Sequence, residues 1–355
     1  MKVLYFSRNY SPHDFRFLSA IVAGGHRAFF LRLKPQISER KHPLPPGAEE
    51  VVWRGKLKPV LEQVKPDLVH AGPLPTCGYL AARSGFHPLV LMSWGSDLLW
   101  EAPRSLLARR RVKYTLPRAD AVIGDCEAVR EAAEEFGAPS GRVVTFPWGL
   151  DLKHFNPRGD DGGLRARLGW QQNFVLLHLR AWEPLYDPLT IARAFALAAH
   201  QEPNLRLLMP GAGSLSAQLT RVFERHSVLD RVHLPGQLSQ AELPEIFRAA
   251  DLYLSASQSD GSSVSLMEAL ASGLPAIVSD ISGNREWVQP GKQGWLFPVK
   301  NDTALADQIL EAVASPDKLK LMAKQARKTA ESRADWSQNR LALYRAYDLA
   351  MEGRR

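Results

Sequence analysis

The stretch that most limits what this chain can fold into is 251–280, DLYLSASQSDGSSVSLMEALASGLPAIVSD. Leu252 to Leu254 is a short apolar run bounded by small polar residues, the pattern of a buried strand. Ser255–Ser262 follows as a loop. Ser262 or Ser263 then offers an N-cap, and SVSLMEALAS runs as a helix to Gly273, with Pro275 beyond it as a stop signal. A second apolar run, Ala276–Val278, ends at Ser279-Asp280. A strand–loop–helix–strand unit of this kind belongs to an open parallel sheet, and such sheets bind ligands outside the carboxyl ends of their strands.

What the unit exposes suggests a ligand class. A helix N-terminus presents unpaired backbone N–H groups and about half a positive charge, which suits a phosphate. Gly261, Ser262, Ser263 and Val264 surround that end. Leu266 and Leu270 form an apolar stripe at i, i+4, and Glu268 points away from it, one turn below the helix start. A carboxylate there is badly placed for phosphate and well placed to accept hydrogen bonds from hydroxyls such as those of a ribose. Asp260, just before the helix, is either a solvated cap or a ligand for sugar hydroxyls.

Elsewhere, strand-like and helix-like segments alternate, the signature of a parallel α/β sheet. Strands are expected at Val3–Phe6, Ala28–Leu33, Asp67–Ala71, Pro88–Ser93, Ala119–Gly124 and Val143–Phe146, with a loop rich in Pro and charge around 34–47. After the Gly/Asp-rich loop at 159–163 the alternation restarts, with strands at Phe174–Leu179, Leu205–Met209 and Val232–Leu234. Arg180 ends the first of these, where a guanidinium can grip a pyrophosphate in bidentate fashion or simply form a structural ion pair. Gly211 and Gly213 fit a tight turn close to a ligand.

These features together resemble the retaining glycosyltransferases of family 4. Asp260-Gly261, six residues, Glu268-Ala269 and then Gly273-Leu274-Pro275 are similar to that family's E-x7-E signature. Trp148-Gly149-Leu150-Asp151 with Phe155-Asn156-Pro157 is similar to the passage that joins its two domains. The resemblance implies the GT-B architecture, two facing Rossmann-like domains with parallel sheets and a cleft between them. It implies an acceptor-binding domain over 1–155, a donor-binding domain over 156–335, and a last helix over 336–355 crossing back to the first domain.

The same resemblance implies transfer of a sugar from a nucleoside-diphosphate sugar to an acceptor hydroxyl, with retention of configuration and with neither metal nor cofactor. Glu268 would hold the donor ribose, Asp260 the transferred sugar, and Arg180 with the helix start the diphosphate. Gly211 and the Gly236-Gln237-Leu238 loop would lie against the nucleotide. The chain departs from the pattern at three places. Leu185 and Tyr186 stand where a second cation, a Lys, is usual. Trp94 stands where a His is common, and a Gly-Gly loop after strand one is missing. His13, Asp14, Trp94 and Asp97 remain candidates for sugar or acceptor contact. Trp94 is equally suited to the core and Asp97 to a helix cap, and His70 is a structural candidate. The departures leave two alternatives open, a catalytically impaired sugar-nucleotide-binding subunit and a sugar-nucleotide epimerase of the same fold.

Charge adds one partner class and removes another. Residues 1–150 carry 21 Lys+Arg against 14 Asp+Glu, almost all of the chain's net +8. The densest run lies between Arg104 and Lys113. It is either a solvated face or a contact for an anionic membrane surface or an anionic acceptor. Glycan, lipid-linked and small-molecule acceptors all fit. Nucleic acid does not, because no known binding module or aromatic stacking pattern accompanies the basic run. Cys77 and Cys126 lack metal or redox spacing, no 18-residue apolar span occurs, and MKVLYFS reads as a strand rather than a leader. A cytoplasmic protein, peripheral on the inner membrane face if it meets a membrane, is the expectation.

Overall fold

The computed structural model describes residues 1–34 and 43–352. Of the loop expected at 34–47, residues 35–42 lie outside the described residues. The chain divides into two compact units, Met1–Pro147 with Ser337–Arg355, and Trp148–Trp336.

The first unit is built on seven parallel strands, β1 (Lys2–Ser7), β2 (Arg27–Arg32), β3 (Ala48–Val51), β4 (Leu68–Ala71), β5 (Leu89–Met92), β6 (Ala121–Gly124) and β7 (Val143–Thr145). Their spatial order is β3-β2-β1-β4-β5-β6-β7, so the winding reverses between β1 and β4. β4, β5 and β6 are buried throughout, which is why LVHA, LVLM and AVIG read as near-continuous apolar runs. β3 escaped the sequence reading because AEEV carries two charges. In the structure backbone pairing with β2 and the buried Val51 seat it, and its charges find partners along the edge: Glu49 with Arg27 at 3.0 Å and Glu50 with Arg32 at 3.2 Å. A charged edge strand also resists pairing with another chain.

The second unit has six parallel strands, β8 (Phe174–Leu177), β9 (Leu205–Leu208), β10 (Val232–His233), β11 (Leu252–Ser255), β12 (Ala276–Ser279) and β13 (Gly294–Phe297). The order is β10-β9-β8-β11-β12-β13, again doubly wound, and here the winding reverses between β8 and β11. Helices Leu164–Leu168 and Ser216–Arg225 were not foreseen, although Leu219, Val222 and Phe223 give the second a clear inward face.

The chain leaves the first unit after Pro147 and returns after Trp336. Leu150 N–H donates to Ala334 O at 2.8 Å, and Trp336 N–H donates to Leu150 O at 3.1 Å. Gly149 lies between them at φ +66°, where a Cβ would stand 2.9 Å from Trp336 N. Only glycine fits that position without strain. The last helix, Trp336–Glu352, is tied to the first unit by Tyr347 Oη, 2.8 Å from His70 Nδ1, and by Tyr344 O–H donating to Ala20 O at 2.7 Å. Burial pushes His70 down to about 3, so it is a neutral structural histidine.

Candidate functional site

The second sheet reverses its winding between β8 and β11, and the carboxyl ends of strands at such a switch point are where open α/β sheets hold ligands. Arg180, three residues past β8, and the 256–263 loop past β11 meet there. The helix of that region runs Val264–Ala271 with Ser263 as N-cap, its Oγ accepting from Leu266 N. Ser262 is occupied differently: its Oγ accepts from the buried indole of Trp287 at 3.0 Å. Two neighbouring serines therefore divide the work, one anchoring the loop to the core and one capping the helix.

Arg180 is the centre of the arrangement. Nη2 donates to Asp260 Oδ2 at 2.6 Å, and Nη1 donates to Ser263 Oγ at 2.9 Å. Ser263 Oγ is in turn 3.3 Å from Ser265 Oγ, which is 2.8 Å from the Tyr253 hydroxyl. Burial works against the charge on Arg180, and Asp260, Tyr186, Tyr253 and Glu268 outweigh it, so the guanidinium stays charged. Burial pushes the Asp260 carboxyl up, with Arg180 and the Gly261 N–H pulling back. Arg180 Nε is buried with no partner among the described residues. A buried donor of this kind can be met by a ligand anion or by an ordered water.

The position where a second cation is usual holds a different device. The Arg180 guanidinium carbon stands 4.0 Å from the centre of the Tyr186 ring. The Pro184–Tyr186 turn that carries this ring is fastened to the opposite loop by Gln258, whose N–H donates to Leu185 O at 2.9 Å and whose Nε2 donates to Pro184 O at 2.7 Å. Tyr186 is thus a platform that fixes the plane of Arg180. Sequence reasoning noted only the missing lysine; the signal it lacked was the Gln258 tether, which is long-range. Tyr186→Leu is expected to raise the KM for a diphosphate donor roughly three- to twentyfold with little change in kcat. Tyr186→Phe should match the wild type, because the ring rather than the hydroxyl does the stacking. Steady-state kinetics on the three proteins decide it.

Glu268 is 4% exposed. Ser265 to Ala271 are all buried, so the side of the helix opposite the Leu266–Leu270 stripe faces protein rather than open solvent. A carboxylate is not kept there as a plain surface residue. Gly211 N–H donates to Gly236 O at 2.8 Å, which joins the loops after β9 and β10, and a Cβ on Gly211 would come within 3.0 Å of Arg180 O. Gln237 is exposed and Leu238 half-buried at that same edge. Gly283 lies so close to the 260–261 backbone that a Cβ would fall 2.3 Å from Gly261 O. The Ser282–Arg285 turn therefore sets the height of the Asp260 loop, a role that only close approach of two backbones reveals.

The first unit brings together two of its four candidates. The rings of His13 and Trp94 stand 5.5 Å apart at the carboxyl ends of β1 and β5. Asp14 is turned inward. Tyr5 O–H donates to its Oδ1 at 3.1 Å, and Ser11 N–H donates to its Oδ2 at 2.7 Å in a capping box. Asp97 is 1% exposed and accepts from Ser93 Oγ, Trp94 N, Leu98 N and Leu74 N. It braces the loop beneath Trp94. Among the described residues, no three His, Cys, Asp or Glu side chains are grouped to hold a metal ion, and no helix is long and apolar enough to cross a membrane.

Comparison with known proteins agrees with this geometry. The family described as Glycosyl transferases group 1 matches residues 164–329, and Glycosyltransferase Family 4 matches residues 11–154. The D-inositol 3-phosphate glycosyltransferase of Streptomyces scabiei (strain 87.22) is 28% identical over 258 residues, 66% of this chain. The match spans 58% of that relative's own length. Among solved structures, Anabaena HepE in complex with UDP-glucose superposes with a TM-score of 0.84 at 19% identity, covering 98% of this chain and 99% of that one. The sucrose-phosphate synthase of Thermosynechococcus elongatus gives 0.83 at 19% identity, covering 99% and 100%. At these identities the likeness is one of fold.

Proposed function

We propose that this chain, which belongs to the group 1 glycosyltransferases of family 4 and has their GT-B fold, moves a hexose from a nucleoside-diphosphate sugar to an acceptor hydroxyl with retention of configuration. The observation that carries the reading is Arg180, held between Asp260 and Ser263 at the carboxyl end of the second sheet, where its winding reverses.

The chemistry follows from charge. When the glycosidic bond to the β-phosphate breaks, negative charge gathers on the leaving diphosphate. Arg180, with its buried Nε–H, and the first-turn N–H groups of the Val264–Ala271 helix would meet that charge without reorganising. Glu268, one turn below, would accept from the ribose hydroxyls. Asp260 is first a counter-ion: it keeps Arg180 oriented and ionised until the diphosphate shares the guanidinium. No metal is needed for this neutralisation. In the retaining reaction the acceptor enters on the face the leaving group vacates, and the leaving phosphate takes its proton. The acceptor is a glycan, a lipid-linked sugar or a small glycoside, met at the His13–Trp94 end of the first unit, and a cytoplasmic setting supplies the donor.

UDP is the first probe because the HepE structure holds UDP-glucose. A ligand that binds the folded state at one hundred times its Kd stabilises it by about 2.7 kcal/mol. Saturating UDP should therefore raise the melting temperature by several degrees in wild type and not in Glu268→Ala. If no nucleoside diphosphate shifts the melt, the donor site is wrong. Product analysis with labelled UDP-hexose separates transfer from the alternatives: an epimerised sugar means an epimerase, and binding without turnover means a subunit.

A further inference from the structure

The densest basic run of the chain lies on an exposed helix whose apolar residues are divided between two faces. The Leu106–Thr115 helix is capped by Ser105, whose side chain accepts from Ala108 N. Ala108, Val112 and Thr115 point inward and are buried. That stripe accounts for the packing of the helix on the Leu74–Gly78 and Tyr79–Arg83 segments, yet it leaves out both leucines of the first turn. Leu106 is 76% exposed and Leu107 is 59% exposed. One exposed leucine is ordinary, whereas two adjacent ones at a helix start need a reason.

Their surroundings supply it. Arg104, Arg109, Arg110 and Lys113 are all exposed within two turns of them, Arg118 is exposed beyond the far end of the helix, and Glu101 is the only carboxylate between residues 100 and 118. The Arg104 guanidinium carbon stands over the Trp100 ring, 3.4 Å from its centre, and that of Arg118 over Tyr114 at 3.7 Å. A cation stacked on an aromatic ring presents both charge and an apolar plane. Tyr114 is itself 37% exposed. Exposed apolar residues on a helix that also carries exposed cations, with amphipathic aromatics before and after them, match the boundary between lipid headgroups and acyl chains.

We propose that this face, Leu106 and Leu107 with the cations around them, docks on an anionic phospholipid bilayer, the leucines entering below the headgroups and the cations meeting their phosphates. A soluble polyanion would satisfy the cations and leave the leucines in water. An acidic protein surface would satisfy the cations and bury the leucines only in a matched apolar pocket. A bilayer satisfies both with no matching, and basic residues near its surface are each favoured there. The inference is independent of the transfer reaction, since the face carries none of the residues given a role in it.

The test is co-sedimentation of the full chain with vesicles of phosphatidylcholine alone or mixed with phosphatidylglycerol. Binding is expected to the mixed vesicles only, to weaken with salt, and to fall about tenfold or more in Arg109→Glu/Arg110→Glu. Leu106→Ser/Leu107→Ser, which removes no charge and touches no core residue, should lower the partition by about tenfold as well. Circular dichroism verifies that both variants are folded, and because the substituted side chains are exposed both should be. No binding to mixed vesicles overturns the proposal. So does binding that depends on the arginines but not on the leucines, which would mean adsorption to any polyanion.

Discussion

Arg180→Ala is expected to lower kcat/KM for a nucleoside-diphosphate sugar by about 10²- to 10³-fold, the usual cost of removing one preorganised group that meets developing negative charge. It should also destabilise the second unit. Arg180 and Asp260 have side chains only 12% and 19% exposed and are paired at 2.6 Å, so alanine leaves a largely buried carboxylate without its cation. Breaking such a pair from one side costs about 3–5 kcal/mol in a dry interior, and somewhat less here, where a fraction of the carboxylate still reaches water. The two effects separate in the double variant. Arg180→Ala/Asp260→Ala removes the stranded charge and should recover most of the lost melting temperature while recovering none of the activity. Arg180→Lys keeps a charge but not the fork. One ammonium cannot hold Asp260, Ser263 and a phosphate in the plane fixed by Tyr186, so it should fall between wild type and alanine. Full activity in Arg180→Ala, measured with donor hydrolysis and transfer both monitored, would remove the assignment.

Much of this site was legible in the chain because its parts are local. The helix start, its serine cap, the apolar runs before and after it and the position of Glu268 all lie within one short stretch, and each is set by periodicity or capping chemistry. The alternation of strands and helices was legible for the same reason. β3 was not, since AEEV is short and charged and takes its place by ladder pairing with β2, across a loop in sequence. The pairing of Arg180 with Asp260 was not either: the residues are 80 apart, and although an ion pair was one reading of Arg180, nothing local named Asp260 as its partner. Tyr186 was read as the absence of a lysine, and only the Gln258 tether shows what the ring does instead. Asp14 looked accessible from its place on the first helix. It is not, because Tyr5 and Ser11 claim both its oxygens.

Asp97 carries the second large prediction, and it concerns stability. Its carboxylate accepts four hydrogen bonds, three of them from backbone N–H groups, and it is buried. Bonds to a charged acceptor contribute about 1.5–3 kcal/mol each at best. Burial opposes them and holds the Asp97 carboxyl up at about 6. In the unfolded chain an aspartate titrates near ~3.9, so between those values the folded protein keeps a proton that the unfolded chain has lost. Stability therefore falls as pH rises through that window, by on the order of 3 kcal/mol in this residue's contribution, and is flat in it above and below. Asp97→Ala abolishes both the bonds and the burial penalty, which leaves a net loss of roughly 3 kcal/mol at neutral pH, since backbone N–H groups of Leu74, Trp94 and Leu98 are stranded. Asp97→Asn keeps an acceptor for the three donors on one oxygen, sets an amide donor against Leu74 N–H, and should lose about half as much. It has no proton to release, so the difference between its denaturation midpoint and that of wild type should change across roughly pH 4–6. Urea titrations of the three proteins over that range, with amide exchange at Leu74 and Trp94 as the local readout, test the argument. A midpoint difference between the Asp97→Asn variant and wild type that stays constant across the window would mean Asp97 is ionised throughout and that its four donors outweigh its burial.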